Sequence, residues 1–244
     1  MAGRVLLRGM LAGILAAFLA FGFARVVGEP QVDRAIAFEA AHEAAEGEPP
    51  EEELVSRKVQ ASIGLLTASV MYGAAYGGVF ALAFAVAFGR VGRVSPRMLA
   101  LLLAAAGFVA IVLVPDLKYP ANPPAVGNPE TIGQRTATYF EMVVFSLCAM
   151  ILSVLAGRAL LARVGAWSAW LCGCALFVVL VTVLQLALPT INEVPADFPA
   201  ALLWRFREAA LGMQVVLWGA LGLVFGLLVD RMPELHGNHG AARG

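Results

Sequence analysis

Six stretches of this chain are long and apolar enough to cross a lipid bilayer, and that excludes almost every fold but one. They run over residues 5–27, 61–89, 98–114, 139–161, 166–188 and 209–229. A hydrocarbon core of ~30 Å takes about 20 helical residues, and lipid offers no partner to an unpaired backbone amide or carbonyl. Each stretch must satisfy its backbone internally, as an α-helix. The expected fold class is all-α, a polytopic membrane helix bundle with about six transmembrane spans, in one integral membrane domain over residues 1–244. The bilayer is therefore the first partner.

Composition narrows the class further. Apolar residues make up 60% of the chain and charged ones 14%, against about a quarter charged in a soluble domain. Formal net charge is zero, so no basic surface speaks for nucleic acid. Lys58 and Lys118 are the only lysines among the cations, and Ala, Val and Gly abound, as in a GC-rich bacterial genome. Cys148, Cys172 and Cys174 all lie inside apolar runs, so no disulfide framework is implied. Cys172 and Cys174 are two apart and fall on different helical faces. That favours packing cysteines over a soft-metal site.

Two runs stand apart from the rest. The stretch 61–89 is long enough to tilt. The first has Arg4 and Arg8, an apolar core, then Gly22 and Ala24, a pattern shared with secretory signal peptides. Val5–Leu7 and Val26–Val27 lengthen the apolar core, and arginines at either end can snorkel. The run is expected to remain as an uncleaved first span. Small residues recur four apart at Gly9 and Gly13, Gly73 and Gly77, and Gly222 and Gly226. In lipid such faces let helices approach closely.

Arginine density gives an orientation. Arg90, Arg93 and Arg97 crowd one short connector, Arg158 and Arg163 flank the next on that side, and Arg4 and Arg8 precede the first span. The positive-inside rule then places both termini in the cytoplasm, with 28–60 an acidic periplasmic loop and 230–244 a flexible cytoplasmic tail. His236 and His239 fall in that tail among glycines, a poor setting for a preorganised site.

The segment 115–139, PDLKYPANPPAVGNPETIGQRTATY, is unlike anything else in the chain. Pro115, Pro120, Pro123, Pro124 and Pro129 fix φ and remove backbone donors, so the stretch is expected to be neither helix nor central strand. A rigid polar connector between two spans suits the mouth of a cavity. It also has relatives. Each outward run ends at a proline, Pro30, Pro115 or Pro189, and each connector closes on cations, Arg57 with Lys58, Arg135, or Arg205 with Arg207. A repeated helix–loop–helix hairpin would give this pattern, as transporters often do. So would chance similarity between proline-rich loops.

LKYPANPPAVGNPETIGQRT at 117–136 and VPADFPAALLWRFREAALGMQ at 194–214 resemble the two outer-loop motifs of the CbtA family of predicted cobalt transporter subunits. The opening RVLLRGMLAGILAAFLAFGFARVVGEPQVDRAI fits the same family's amino-terminal span. The resemblance implies a multi-pass protein of the bacterial inner membrane. It also implies a second, small, single-span partner protein rich in histidine, and import of cobalt for cobalamin synthesis. Co²⁺ would be the substrate, and no resident cofactor is expected.

The residues supply candidate contacts, each with a plainer alternative. Glu39, His42, Glu43 and Glu46 have the spacing of one helical face and could ligate Co²⁺ or Ni²⁺. An acidic solvated helix has the same spacing, and with Glu48 and Glu51–Glu53 it would gather cations without binding any. Asp116, Asn122, Asn128 and Glu130 offer oxygens in the proline-rich segment, or simply make its turns. Glu141 is a carboxylate at a span end, costly unless it faces a cavity or partner. Arg135, six residues earlier, pairs with it only if the helix starts late. Gln185, Glu208 and Gln214 could line an entrance or bond between helices.

No Walker sequence, HExxH or nucleophile elbow is present, so the chain is expected not to be an enzyme. The inner halves of the spans hold chiefly Ala, Val, Leu and Gly. That leaves room for a path completed by the partner or by a homo-oligomer. The rival role is a non-conducting accessory or scaffolding protein that stabilises its partner.

Overall fold

The computed structural model describes residues 2–47, 54–92 and 94–232, apart from the side chain of Glu46. Arg93, the acidic stretch 48–53, and His236 and His239 lie outside the described residues. No strand occurs among those described. The apolar runs fold as helices, in the order α1 (Ala2–Phe23), α2 (Glu29–Glu46), α3 (Arg57–Val59), α4 (Leu65–Ala87), α5 (Pro96–Gly107), α6 (Val114–Asp116), α7 (Ile132–Ala187) and α8 (Ala200–Asp230).

By length and composition, five helical runs among the described residues can cross a membrane, where six apolar runs were expected. The difference lies in α7, which holds both 139–161 and 166–188. Its 56 residues would extend ~84 Å if straight, more than twice the bilayer core. It is not straight. Gly165 adopts φ 77° and ψ 164°, a conformation that breaks the helix and suits glycine alone. A Cβ on Gly157 would lie 3.2 Å from the Trp170 ring, and one on Gly173 would lie 3.0 Å from the Ser153 carbonyl. Residues 13 and 20 apart cannot meet along one helix. The chain turns back at Gly165, and the two halves of α7 pack as a hairpin.

Proline shapes two other helices without ending them. A five-residue π-helical segment, Ala24–Gly28, joins α1 to α2, and Phe108–Leu113 joins α5 to α6. In each case the residue before a proline donates five positions back, Glu29 to Ala24 and Val114 to Val109. The widened turn relieves the clash of the proline ring with the carbonyl four residues earlier. The first helix therefore passes through Pro30, where the sequence pattern suggested an end, and stops at Gly47, whose left-handed φ of 77° caps it. Residues 28–46 and 57–60 of the segment 28–60 are thus helical. At Pro189 the outcome is different: α7 ends at Ala187 with Leu188 extended.

The chain forms two compact units. The first comprises Met1–Ala105, Pro123–Ala125 and Ala200–Gly244, and contains α1–α4, most of α5, and α8. Its core is a close crossing of α1 and α4. A Cβ on Gly73 would lie 2.5 Å from both the Ala17 methyl and the Gly13 carbonyl, and Gly9 meets Gly77 in the same way. Two of the three small-residue pairs read from the sequence thus face each other. On α8, Phe225 takes edge contacts from Phe80 at 5.2 Å and Phe84 at 5.1 Å. Arg8 donates to the Leu228 carbonyl at 2.7 Å and Arg97 pairs with Asp230 at 2.7 Å, so cations sit against the C-terminus of α8, where its dipole favours them. Arg57 bridges Glu29 and Asp33, the latter at 3.0 Å, and Glu29 is buried.

The second unit comprises Ala106–Asn122 and Val126–Pro199. It holds the Phe108–Leu113 segment, α6, the α7 hairpin and the connectors on either side of α7. Its two prominent residue-to-residue joints, Ser146 with Ala110 and Gln185 with Val114, both satisfy backbone carbonyls that the α5–α6 run leaves open.

Candidate functional site

The polar residues of the second unit concentrate where α6 ends, α7 starts and α7 ends. Helix termini explain this. The last carbonyls of a helix have no partner within it. At the end of α6 the Lys118 amide turns to Pro115, and the Val114 carbonyl accepts instead from the Gln185 side chain at 3.0 Å. At the end of α7 the Gln185 carbonyl accepts from the Lys118 ammonium, and the Pro189 carbonyl from the Tyr119 hydroxyl at 2.6 Å. The two helix ends cap each other, and a cation at a helix C-terminus also meets the favourable end of its dipole.

The turn at 127–131 is built by Asn128. Its Oδ1 accepts the Glu130 N–H at 2.9 Å and opens the short 3₁₀ turn Pro129–Thr131. Its carbonyl accepts from Thr131 Oγ1 at 2.9 Å and from Arg135 Nη2 at 3.1 Å. Gly127, at φ 120°, lies against the Arg135 guanidinium; a Cβ there would be 2.7 Å from Cζ. No other residue could hold that backbone and leave the arginine its place.

Glu193, on the connector after α7, closes onto this turn. One carboxylate oxygen accepts the Asn128 N–H at 2.8 Å and the other accepts the Thr131 hydroxyl at 2.7 Å. Arg135 Nε stands 3.3 Å away. The Asn128 and Thr131 bonds, with Arg135 as a smaller cause, hold its pKa below the ordinary carboxylate value against the opposing effect of burial. Tyr119 moves the other way: desolvation, then the nearby charge of Glu141, push its phenol up.

Asp116 is the half-buried last residue of α6. Asn122, Asn128 and Glu130 are exposed on the connector between α6 and α7, and Glu141 is exposed on α7. Arg135 pairs with Glu193 rather than with Glu141. Asn128 and Arg135 are brought together; Gln214 is half-buried on α8, in the other unit. Glu39, His42 and Glu43 lie on α2, with His42 stacked on Phe38 at 6.1 Å, and the Glu46 side chain lies outside the described residues. Among the described residues, no three His, Cys, Asp or Glu side chains converge in a way that could hold a metal ion.

Glu193, Thr131, Lys118 and Tyr119 were not singled out from the sequence. A signal existed for the first: Glu193 is an acid in an apolar-flanked connector that matches, in length and closing arginines, the connector carrying Arg135.

Residues 2–230 match the family described as probable cobalt transporter subunit (CbtA), and the chain belongs to that family. No curated protein and no solved structure matches the chain. It is thus a multi-pass membrane protein of a cobalt transporter family, and membership as one component of a transporter implies a partner.

Proposed function

We propose that this chain is the membrane component of an uptake system that brings Co²⁺ across the bacterial inner membrane for cobalamin synthesis. The observation that carries the reading is the family match over nearly the whole chain. Co²⁺ is the substrate, and the chain works without a resident cofactor and without catalysing a reaction. Both termini are cytoplasmic, so the connectors around α7's two ends and the acidic α2 face the periplasm. Glu39, His42, Glu43 and Glu46 raise the local cation concentration. The proline-rich connector frames the entrance, where Asp116, Asn122, Asn128, Glu130 and Glu141 present oxygens, with Arg135 fixing the turn. The partner is a small single-span protein whose histidines receive or deliver the ion.

A second reading is favoured by one specific observation. The inner halves of the spans are chiefly Ala, Val, Leu and Gly, which offers little to replace an ion's hydration shell. On that reading the chain is a non-conducting scaffold for its partner. Radiolabelled cobalt uptake in a transport-deficient host separates the two. Transport should require this chain and fall in Glu141→Gln at unchanged membrane abundance. Uptake by the partner alone, equal to that of the pair, supports the scaffold.

A further inference from the structure

The connector at 188–199 has no helix of its own until α8 begins, and side chains and backbone of the other connector reach it at Pro189 and Glu193. Near α7 it is held through Tyr119 on Pro189. Four residues further on, both oxygens of Glu193 are engaged by one turn of the other connector, through Asn128 N–H at 2.8 Å and Thr131 Oγ1 at 2.7 Å. The turn is itself rigid, since Asn128 binds Glu130, Thr131 and Arg135 at once. Among the described contacts, Arg135 is the charged group that reaches Glu193, and Glu130 is the other carboxylate of that turn. A charge-assisted clasp of this kind is strong while the carboxylate is ionised and its donors aligned. It can also open as one event, because all its bonds end on a single side chain.

We propose that Glu193 is a latch between the two connectors, and that its release from Asn128 and Thr131 is the step that opens the cation entrance. This rests on the entrance reading above and adds to it the residue that controls access. Glu193 is a positioning residue here: it holds the connectors and does not need to touch the ion. The consequence is that a connector pair which cannot separate cannot transport.

Two measurements test this on the full-length chain with its partner. The first locks the latch. In a background with Cys148, Cys172 and Cys174 replaced by Ala, Thr131→Cys and Glu193→Cys together should be bridged by a short bis-methanethiosulfonate with a two-carbon spacer, which makes up the reach lost when Glu193, whose oxygen meets Thr131 at 2.7 Å, is shortened to Cys. Cross-linked protein should take up cobalt at least tenfold more slowly than the same protein after reduction. Equal uptake before and after reduction would overturn the proposal, since a merely structural clasp loses nothing by being locked. Failure of this cross-link to form would overturn the placement of these two residues.

The second measurement needs no transport. Amide exchange of peptides covering 117–131 and 188–199, in nanodiscs, should rise about tenfold or more in Glu193→Ala and by less in Thr131→Val, which keeps the carboxylate. Peptides covering residues 9–21 should stay protected, showing that the fold is intact. Unchanged exchange at 117–131 in Glu193→Ala sinks the latch even if transport proceeds. Absence of cobalt uptake by the wild-type pair, with exchange behaving as expected, sinks the entrance reading and leaves Glu193 a structural tether.

Discussion

The Ser146 hydroxyl donates to the backbone carbonyl of Ala110, thirty-six residues earlier in the chain. That carbonyl has no helical donor left. The Val114 N–H goes to Val109, and the next amide belongs to Pro115, which has no hydrogen. Ser146 is fully buried, so its hydroxyl is well placed to supply the missing bond; its own Val143 carbonyl, 3.0 Å away, is the competing acceptor. Ser146→Ala should cost about 1–2 kcal/mol, the penalty for orphaning a buried carbonyl. Pro115→Ala restores an amide at that place, so the serine should matter less in its presence. A double-mutant cycle on unfolding in detergent measures this. Strictly additive effects would show that the hydroxyl and the proline gap are unrelated.

The α1–α4 crossing makes a sharper demand. Gly73 lies where a Cβ would collide with Ala17 and Gly13, whereas Gly22 and Gly133 face open space. Gly73→Val should destabilise by about 3 kcal/mol or more, at or beyond the upper range for overpacking, because backbone and not a side-chain tip stands in the way. Gly133→Ala should stay within about 0.5 kcal/mol, as surface changes do. Thermal aggregation in detergent compares them. Equal midpoints for the two variants would contradict the close approach of these helices.

These two cases show what the sequence could and could not convey. Run length and hydropathy expose the spans because lipid leaves the backbone no alternative to helix. Gly9, Gly13, Gly73 and Gly77 announce a close crossing by their spacing, and they make one. Pro30 misleads: a proline forbids one hydrogen bond, but a π turn five residues wide absorbs it, and no local pattern tells this from a helix end. At Gly165 the sequence does not mislead: Arg158 and Arg163 mark a connector between 139–161 and 166–188, and the chain reverses there, although a single glycine makes the turn. In the candidate site, Asn128 and Arg135 are legible as turn-former and cation. Their shared partner Glu193 is sixty-five residues away from Asn128. Only tertiary structure brings those residues together.

Acid should weaken the joint between the connectors. Hydrogen bonds from Asn128 and Thr131 hold the Glu193 pKa below its ordinary 4.5. A group depressed in the folded state contributes stability above its unfolded pKa, and that contribution is lost as pH falls through the folded value. Protection of the 117–131 amides, corrected for intrinsic exchange, should therefore be level above about pH 4.5 and decline below it. Glu193→Gln should show less protection at neutral pH and no such decline. An identical pH profile in the two proteins would mean that another group governs the joint.

The last prediction separates shape from charge at the entrance. Pro123 is buried and Pro124 half-buried, and together they stiffen the middle of the connector. Replacing both with Gly frees the backbone while removing no oxygen ligand. Asn122→Ala removes an exposed amide and leaves the prolines. Glu141→Gln removes a charge and keeps the size and part of the hydrogen-bonding capacity. All three should lower cobalt uptake in the presence of the partner, at membrane abundance close to wild type. Glu141→Gln should be the most severe, because a cation shedding water needs a compensating charge more than a fixed loop. It should also lower the Tyr119 phenol pKa, since the Glu141 charge is one of the causes that raise it. Absorbance titration of the tyrosines reads that shift without any transport assay. Normal uptake in all three variants, with the Tyr119 shift present, would place Glu141 beside the connector but outside the path of the ion.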